Sequence, residues 1–151
     1  MTPLFEAAFE LQDFFIHQQW QFCIIGGIAL LRWGEPRFTR DVDVTLLAGF
    51  GRERDFIAPI LSSGYRIPDA VEFALRNRVL LLESPQGIPI DIALGALPFE
   101  AKMVERASSF EFETGWNSPQ PVTVRFAGTL DAPPTVTTTC RTPSAVPAGT
   151  W

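Results

Sequence analysis

"GGIALLRWGEPRFTRDVDV", residues 26–44, joins two adjacent glycines, a short apolar run and two aspartates spaced D-x-D. Just upstream, "WQFCII" (20–25) is rich in β-forming residues and stops at Gly26-Gly27, so it reads as a strand ending in a glycine turn. "IALLRW" then reads as the first turns of a helix, cut off by Gly34 and Pro36. "DVDVTLL" (41–47) alternates strictly. Val42, Val44 and Leu46 fall on one face and Asp41, Asp43 and Thr45 on the other, the period of a half-buried strand. Residues two apart on a strand project to the same side, about 6.6 Å from each other. Asp41 and Asp43 therefore offer two carboxylates to one face.

Carboxylates held that close repel each other unless a cation sits between them. A hard divalent ion such as Mg²⁺ takes oxygen ligands, commonly one or two carboxylates completed by substrate phosphates. A bare Gly-Gly between strand and helix lets backbone N–H groups approach a phosphate, and the helix N-terminus favours its charge. The parts together describe a metal–nucleotide site. Asp41 and Asp43 would take the metal, and Gly26 and Gly27 the phosphates. Asp91, on the polar side of a separate strand, would add a third carboxylate to activate an attacking hydroxyl. Arg37 and Arg40 have two readings, as phosphate ligands or as ion-pair partners of Asp41 and Asp43. Thr39 reads as a residue that caps or orients the Asp41 loop. Taken singly, a Gly-Gly is a tight turn and a D-x-D a solvated strand face; order and spacing carry the specificity.

Elsewhere, Leu4, Ala8, Leu11 and Phe15 mark one face of an N-terminal helix, with Thr2 as N-cap and Pro3 at the first helical position. Phe5, Phe9 and Phe14 widen that stripe, which predicts a helix lying between other elements. A helix is expected through Phe56, Ile57, Ile60 and Leu61, ending near Gly64, and another over 69–77 capped by Asp69. "RVLLLES" (78–84) and "IPIDIAL" (88–94) read as strands joined through Pro85-Gln86-Gly87, and 97–107 as a helix. In the second strand Ile88, Ile90, Ile92 and Leu94 share a face and leave Asp91 on the other. No strand or helix period persists beyond "PVTVRF" (121–126). Rich in Pro and Thr and poor in charge, the segment 117–151 is expected to be a loosely ordered tail on a core spanning 1–116.

Of 151 residues 46% are hydrophobic, including 13 Phe and 4 Trp, enough for one domain with a substantial core. The net charge of −5 argues against a broad basic surface for nucleic acid. The basic residues are Arg except for Lys102, and Arg is the better bidentate phosphate ligand. Cys23 and Cys140 make no disulfide framework, and His17 as the lone histidine makes a zinc site improbable. No apolar run reaches the length of a bilayer span and the N-terminus lacks a signal pattern, so a cytoplasmic protein without membrane contact is expected.

A strand, GG, a helix, G-x-x-R-x-T-x-D-x-D and a distant third Asp on a strand together resemble the nucleotidyltransferase fold of the DNA polymerase β superfamily. With "RVLLLESPQGIPIDIALGALPFE" the chain looks most like the small bacterial nucleotidyltransferases related to AbiEii-type abortive-infection toxins, over roughly residues 5–110. The resemblance implies an α/β fold, a nucleotidyltransferase-type mixed β-sheet flanked by helices. It implies Mg²⁺ (or Mn²⁺) on Asp41, Asp43 and Asp91, and an NTP triphosphate at Gly26 and Gly27 with help from Arg37. The reaction would be transfer of a nucleoside monophosphate to a hydroxyl acceptor such as tRNA or a protein. The last third departs from the family. No Lys follows Lys102, and the Pro/Thr-rich tail stands where nucleotide-covering helices are usual. That departure suggests truncation or a shifted reading frame between about Glu113 and Gly128. It also keeps an alternative open: an inactive fold that binds nucleotide or a partner, as a homodimer or as one component of a toxin–antitoxin pair.

Overall fold

The computed structural model describes residues 2–31, 38–67, 71–112 and 122–126. Helix α1 (Pro3–His17) leads into strand β1 (Phe22–Ile25), and the short helix α2 (Gly26–Leu31) follows directly. Strand β2 (Val42–Leu47), helices α3 (Glu53–Ser62) and α4 (Val71–Asn77), and strands β3 (Val79–Glu83) and β4 (Pro89–Gly95) come next. Helix α5 (Pro98–Glu105) and strands β5 (Ser108–Phe112) and β6 (Val122–Phe126) complete the described chain. The strands form one mixed sheet in the order β3-β4-β2-β1-β6-β5.

The period-2 reading of β2 holds on its apolar side: Val42, Val44 and Leu46 are buried. Thr45, on the polar side, is buried too, because Gly95 of the neighbouring strand brings the backbone close and the Thr45 methyl packs into that space. On β4, Ile90, Ile92 and Leu94 fill the same core layer. Each fully buried Ile or Leu contributes about 1.5–3 kcal/mol relative to exposure, so these two central strands anchor the domain. Helix α1 covers that layer with Ala7, Ala8, Leu11 and Phe15. Thr2 occupies the N-cap with extended backbone and Pro3 opens the helix, although the Thr2 hydroxyl caps no N–H. The widened stripe is only partly realised. Phe5 and Phe14 pack against the core, but Phe9 lies on the exposed flank, so α1 covers the sheet on one side. Phe14, Phe15, Trp20, Phe22 and Phe56 join α1, β1 and α3 through ring contacts of 4.9–6.0 Å between centroids.

β3 and β4 form the expected hairpin. Asp69, the expected cap of α4, lies outside the described residues. The strand pair β5–β6 was not legible as a pair, and it places "VTVRF" inside the sheet between β1 and β5. The sheet thus runs past residue 116, because β6 pairs in parallel with β1 at Ile24 and antiparallel along all of β5. The rest of the tail, with Cys140, lies outside the described residues. Cys23 is buried on β1. Among the described residues no helix is long and apolar enough to cross a membrane.

Candidate functional site

Three strands bring the site together. β1 runs antiparallel to β2 with Ile25 opposite Asp43, so the chain leaves β1 at Gly26 directly beside the start of β2. β4 runs parallel to β2 with Asp91 opposite Asp43. Paired residues on adjacent strands stand about 4.8 Å apart and on the same sheet face. The register alone therefore sets Asp91 next to Asp43, with Asp41 at the entrance to β2. Periodicity placed each aspartate on a polar face; only the sheet order put the third beside the first two.

The electrostatics record that convergence. Burial pushes the Asp43 carboxyl above its ordinary value, repulsion from Asp41 and Asp91 pushes it further, and the Gly27 backbone N–H pulls it back. Asp91 is raised as well, first by burial and then by Asp41. Among the described residues no Arg or Lys forms an ion pair with any of the three. The cluster thus holds excess negative charge at partly desolvated oxygens, a donor set suited to a hard cation. Among the described residues, however, no three acidic, His or Cys side chains converge tightly enough to form a ready-made cage. A divalent ion there would need further ligands from outside the chain.

The two glycines have structural duties that the sequence did not reveal. Gly26 has φ +67°, and a Cβ there would lie 2.0 Å from Oδ2 of Asp43. A Cβ on Gly27 would lie 2.5 Å from both Cβ and Oγ1 of Thr39. Bare backbone at this turn is what lets the aspartate and threonine side chains close in. The Gly27 N–H, expected to meet phosphate, is engaged by the Asp43 carboxylate. Thr39 takes the orienting role: its hydroxyl donates to Oδ1 of Asp41 at 2.8 Å. Arg40 stacks over the Phe38 ring, 5.0 Å from its centroid, and among the described residues pairs with neither Asp41 nor Asp43. Arg37 lies outside the described residues. Gly26, Gly27, Thr39, Arg40, Asp41 and Asp43 border a cleft of about 430 Å³, together with Leu30 and Phe38. That is within the range of small-molecule sites.

Sequence reasoning missed Arg78, which fixes the far end of the same strands. Its φ is 56°, and its guanidinium donates to the Glu53 carboxylate, to the Leu94 carbonyl and, at 3.0 Å, to the Gly49 carbonyl. Its other contact is the Phe50 ring, at 4.6 Å from the centroid. The Glu53 carboxyl is held below its ordinary value, chiefly by its own backbone N–H, with further help from the Gly51 N–H and from Arg78. No pattern of spacing announces such a tie, because its partners come from separate loops and strands.

A mixed sheet flanked by helices, with a glycine turn facing a D-x-D strand and a third aspartate on the neighbouring parallel strand, is the nucleotidyltransferase-type fold. The solved structure of the lincosamide antibiotic adenylyltransferase LnuA, bound to lincomycin, is similar over 82% of this chain and 79% of that one, with a TM-score of 0.50 and 14% sequence identity. At that identity the likeness speaks for the fold. No family model matches the chain, and neither does any curated protein.

Proposed function

We propose that the protein is a metal-dependent nucleotidyltransferase of the small bacterial type, moving a nucleoside monophosphate from an NTP to a hydroxyl acceptor. The observation that carries this reading is the set Asp41, Asp43 and Asp91. Asp43 and Asp91 are paired on adjacent strands with Asp41 at the entrance to β2, their charge is unbalanced among the described residues, and Asp41 and Asp43 open onto the cleft beside Gly26 and Gly27.

The three carboxylates would hold Mg²⁺ or Mn²⁺ jointly with the triphosphate, and the bound ion would supply charge neutralisation for the phosphoryl transfer. The residues of the chain do the rest. Thr39 fixes the Asp41 carboxylate through its hydroxyl, and the Gly27 N–H holds that of Asp43. Arg40 offers a guanidinium at the cleft wall for phosphate charge. The acceptor oxygen bonds to the α-phosphorus as the bond to the pyrophosphate oxygen breaks. The acceptor's proton passes to Asp91, the carboxylate that β4 sets beside Asp43.

The test is transfer of label from α-labelled NTPs to bulk tRNA and to protein in cell extract, with Mg²⁺ present. The full chain should transfer label, and an Asp41→Asn/Asp43→Asn variant should lose at least a hundredfold in rate, the range expected when charge stabilisation at the reacting phosphoryl is removed. Equal transfer by the variant would sink the reading.

A further inference from the structure

We propose that Phe38 is the platform on which the base of the donor nucleotide stacks. This rests on the nucleotidyltransferase reading and adds to it the means by which the base is held.

The cleft lining has two chemistries. Gly26, Gly27, Thr39, Asp41 and Asp43 suit a metal-bound triphosphate, and Leu30 and Phe38 add apolar surface. Phe38 is the most exposed large apolar side chain among the described residues, at 82%, so its ring makes little contribution to the core. It is nonetheless braced, because the Arg40 guanidinium lies over it, 5.0 Å from the ring centroid. A braced ring beside a cleft, with most of its surface still open, is unlike a stray surface phenylalanine. It is what a flat aromatic ligand requires, since base–aromatic stacking uses the whole face of the ring and tolerates any base.

The spacing fits the same ligand. Phe38 precedes Asp41 by three residues, so their backbones are at most about 11 Å apart. A nucleoside triphosphate has the same division over a comparable span, with an anionic end for the carboxylate-bound metal and a planar base at the other. Arg40 serves both parts: it lines the cleft with its charge while its guanidinium stands over the ring.

Calorimetric titration of the full chain with ATP, GTP, CTP and UTP in Mg²⁺, beside inorganic tripolyphosphate in Mg²⁺, tests this directly. Phe38→Ala should weaken all four nucleotides by about tenfold or more and leave tripolyphosphate unchanged, while Phe38→Trp should bind nucleotides at least as tightly as the parent. The ring is exposed, so Phe38→Ala should also melt at the parent's temperature. Equal loss of nucleotide and tripolyphosphate binding would overturn the platform role, as would no loss of either. In both cases the nucleotidyltransferase reading would stand, because the parent binds nucleotide. A parent chain that binds neither nucleotide nor tripolyphosphate would overturn both.

Discussion

Asp91 is ordinary by sequence and unusual by position. A lone aspartate in "IPIDIAL" carries no signal beyond a polar strand face, yet pairing with β2 sets it beside Asp43 and within the field of Asp41. Burial, and then the charge of Asp41, lift its folded-state pKa above the ordinary 3.8, so the native protein holds a proton there at pH values where the unfolded chain has released it. Stability must then fall as pH climbs from about 3.8 through the raised value, and the penalty is fully present above it. Asp91→Asn removes the charge and hence the penalty. In EDTA, the variant should melt above the parent at pH 7, by no more than about 3 °C because solvent screens a partly exposed group. The gap should close as the pH approaches 3.8. Melting curves across pH 3.5 to 8 check this. A gap of constant size, or a variant that melts lower at pH 7, would show that the carboxylates do not strain one another.

At the scale of elements, the strands that carry the carboxylates are held from the opposite end by Arg78. Its guanidinium ties the carbonyl of Leu94 on β4 and that of Gly49 after β2 to Glu53 at the start of α3. The side chains of Arg78 and Glu53 are only 27% and 13% exposed, so removing the cation leaves a mostly buried carboxylate without its partner and two carbonyls short of a donor. Arg78→Ala should lower the urea midpoint of unfolding, because the Gly49 and Leu94 carbonyls lose their donor, with the positive φ still strained in the alanine backbone. An unchanged midpoint would assign Arg78 to the surface ion pairs that contribute little. Helix α5 is set by a comparable local device, with Oε2 of Glu100 accepting the backbone N–H groups of Ala96 and Leu97 at 2.8 and 2.7 Å.

For the whole molecule, composition and topology divide the chain at different places. The Pro/Thr-rich composition begins near 117, but β6 lies beyond that point and sits between β1 and β5. A chain ending at residue 116 would leave one edge of β1 unpaired and β5 without its partner, and exposed edges recruit other strands. Such a chain should melt below the full protein and form oligomers in size-exclusion chromatography with light scattering. A monomer with an unchanged melting temperature would show that the sheet does not need β6.

Much of this protein was legible from local pattern. The strand alternation at 41–47, the helix face from Leu4 to Phe15 and the 78–94 hairpin all follow from side-chain period and turn residues, which physics enforces within a few residues. The D-x-D pair was legible for the same reason, since residues two apart on a strand must share a face. The β5–β6 pair, the Arg78 tie and the close packing of Asp43 and Thr39 on Gly26 and Gly27 were not. Each depends on residues brought together from distant parts of the chain: Val122–Phe126 beside β1, Arg78 against Glu53 and Leu94, and Asp43 and Thr39 closing on the glycine backbone. Local period in the chain settles which side chains share a face. Which faces meet follows from strand order and register, and these come from pairing and core packing over the whole sheet.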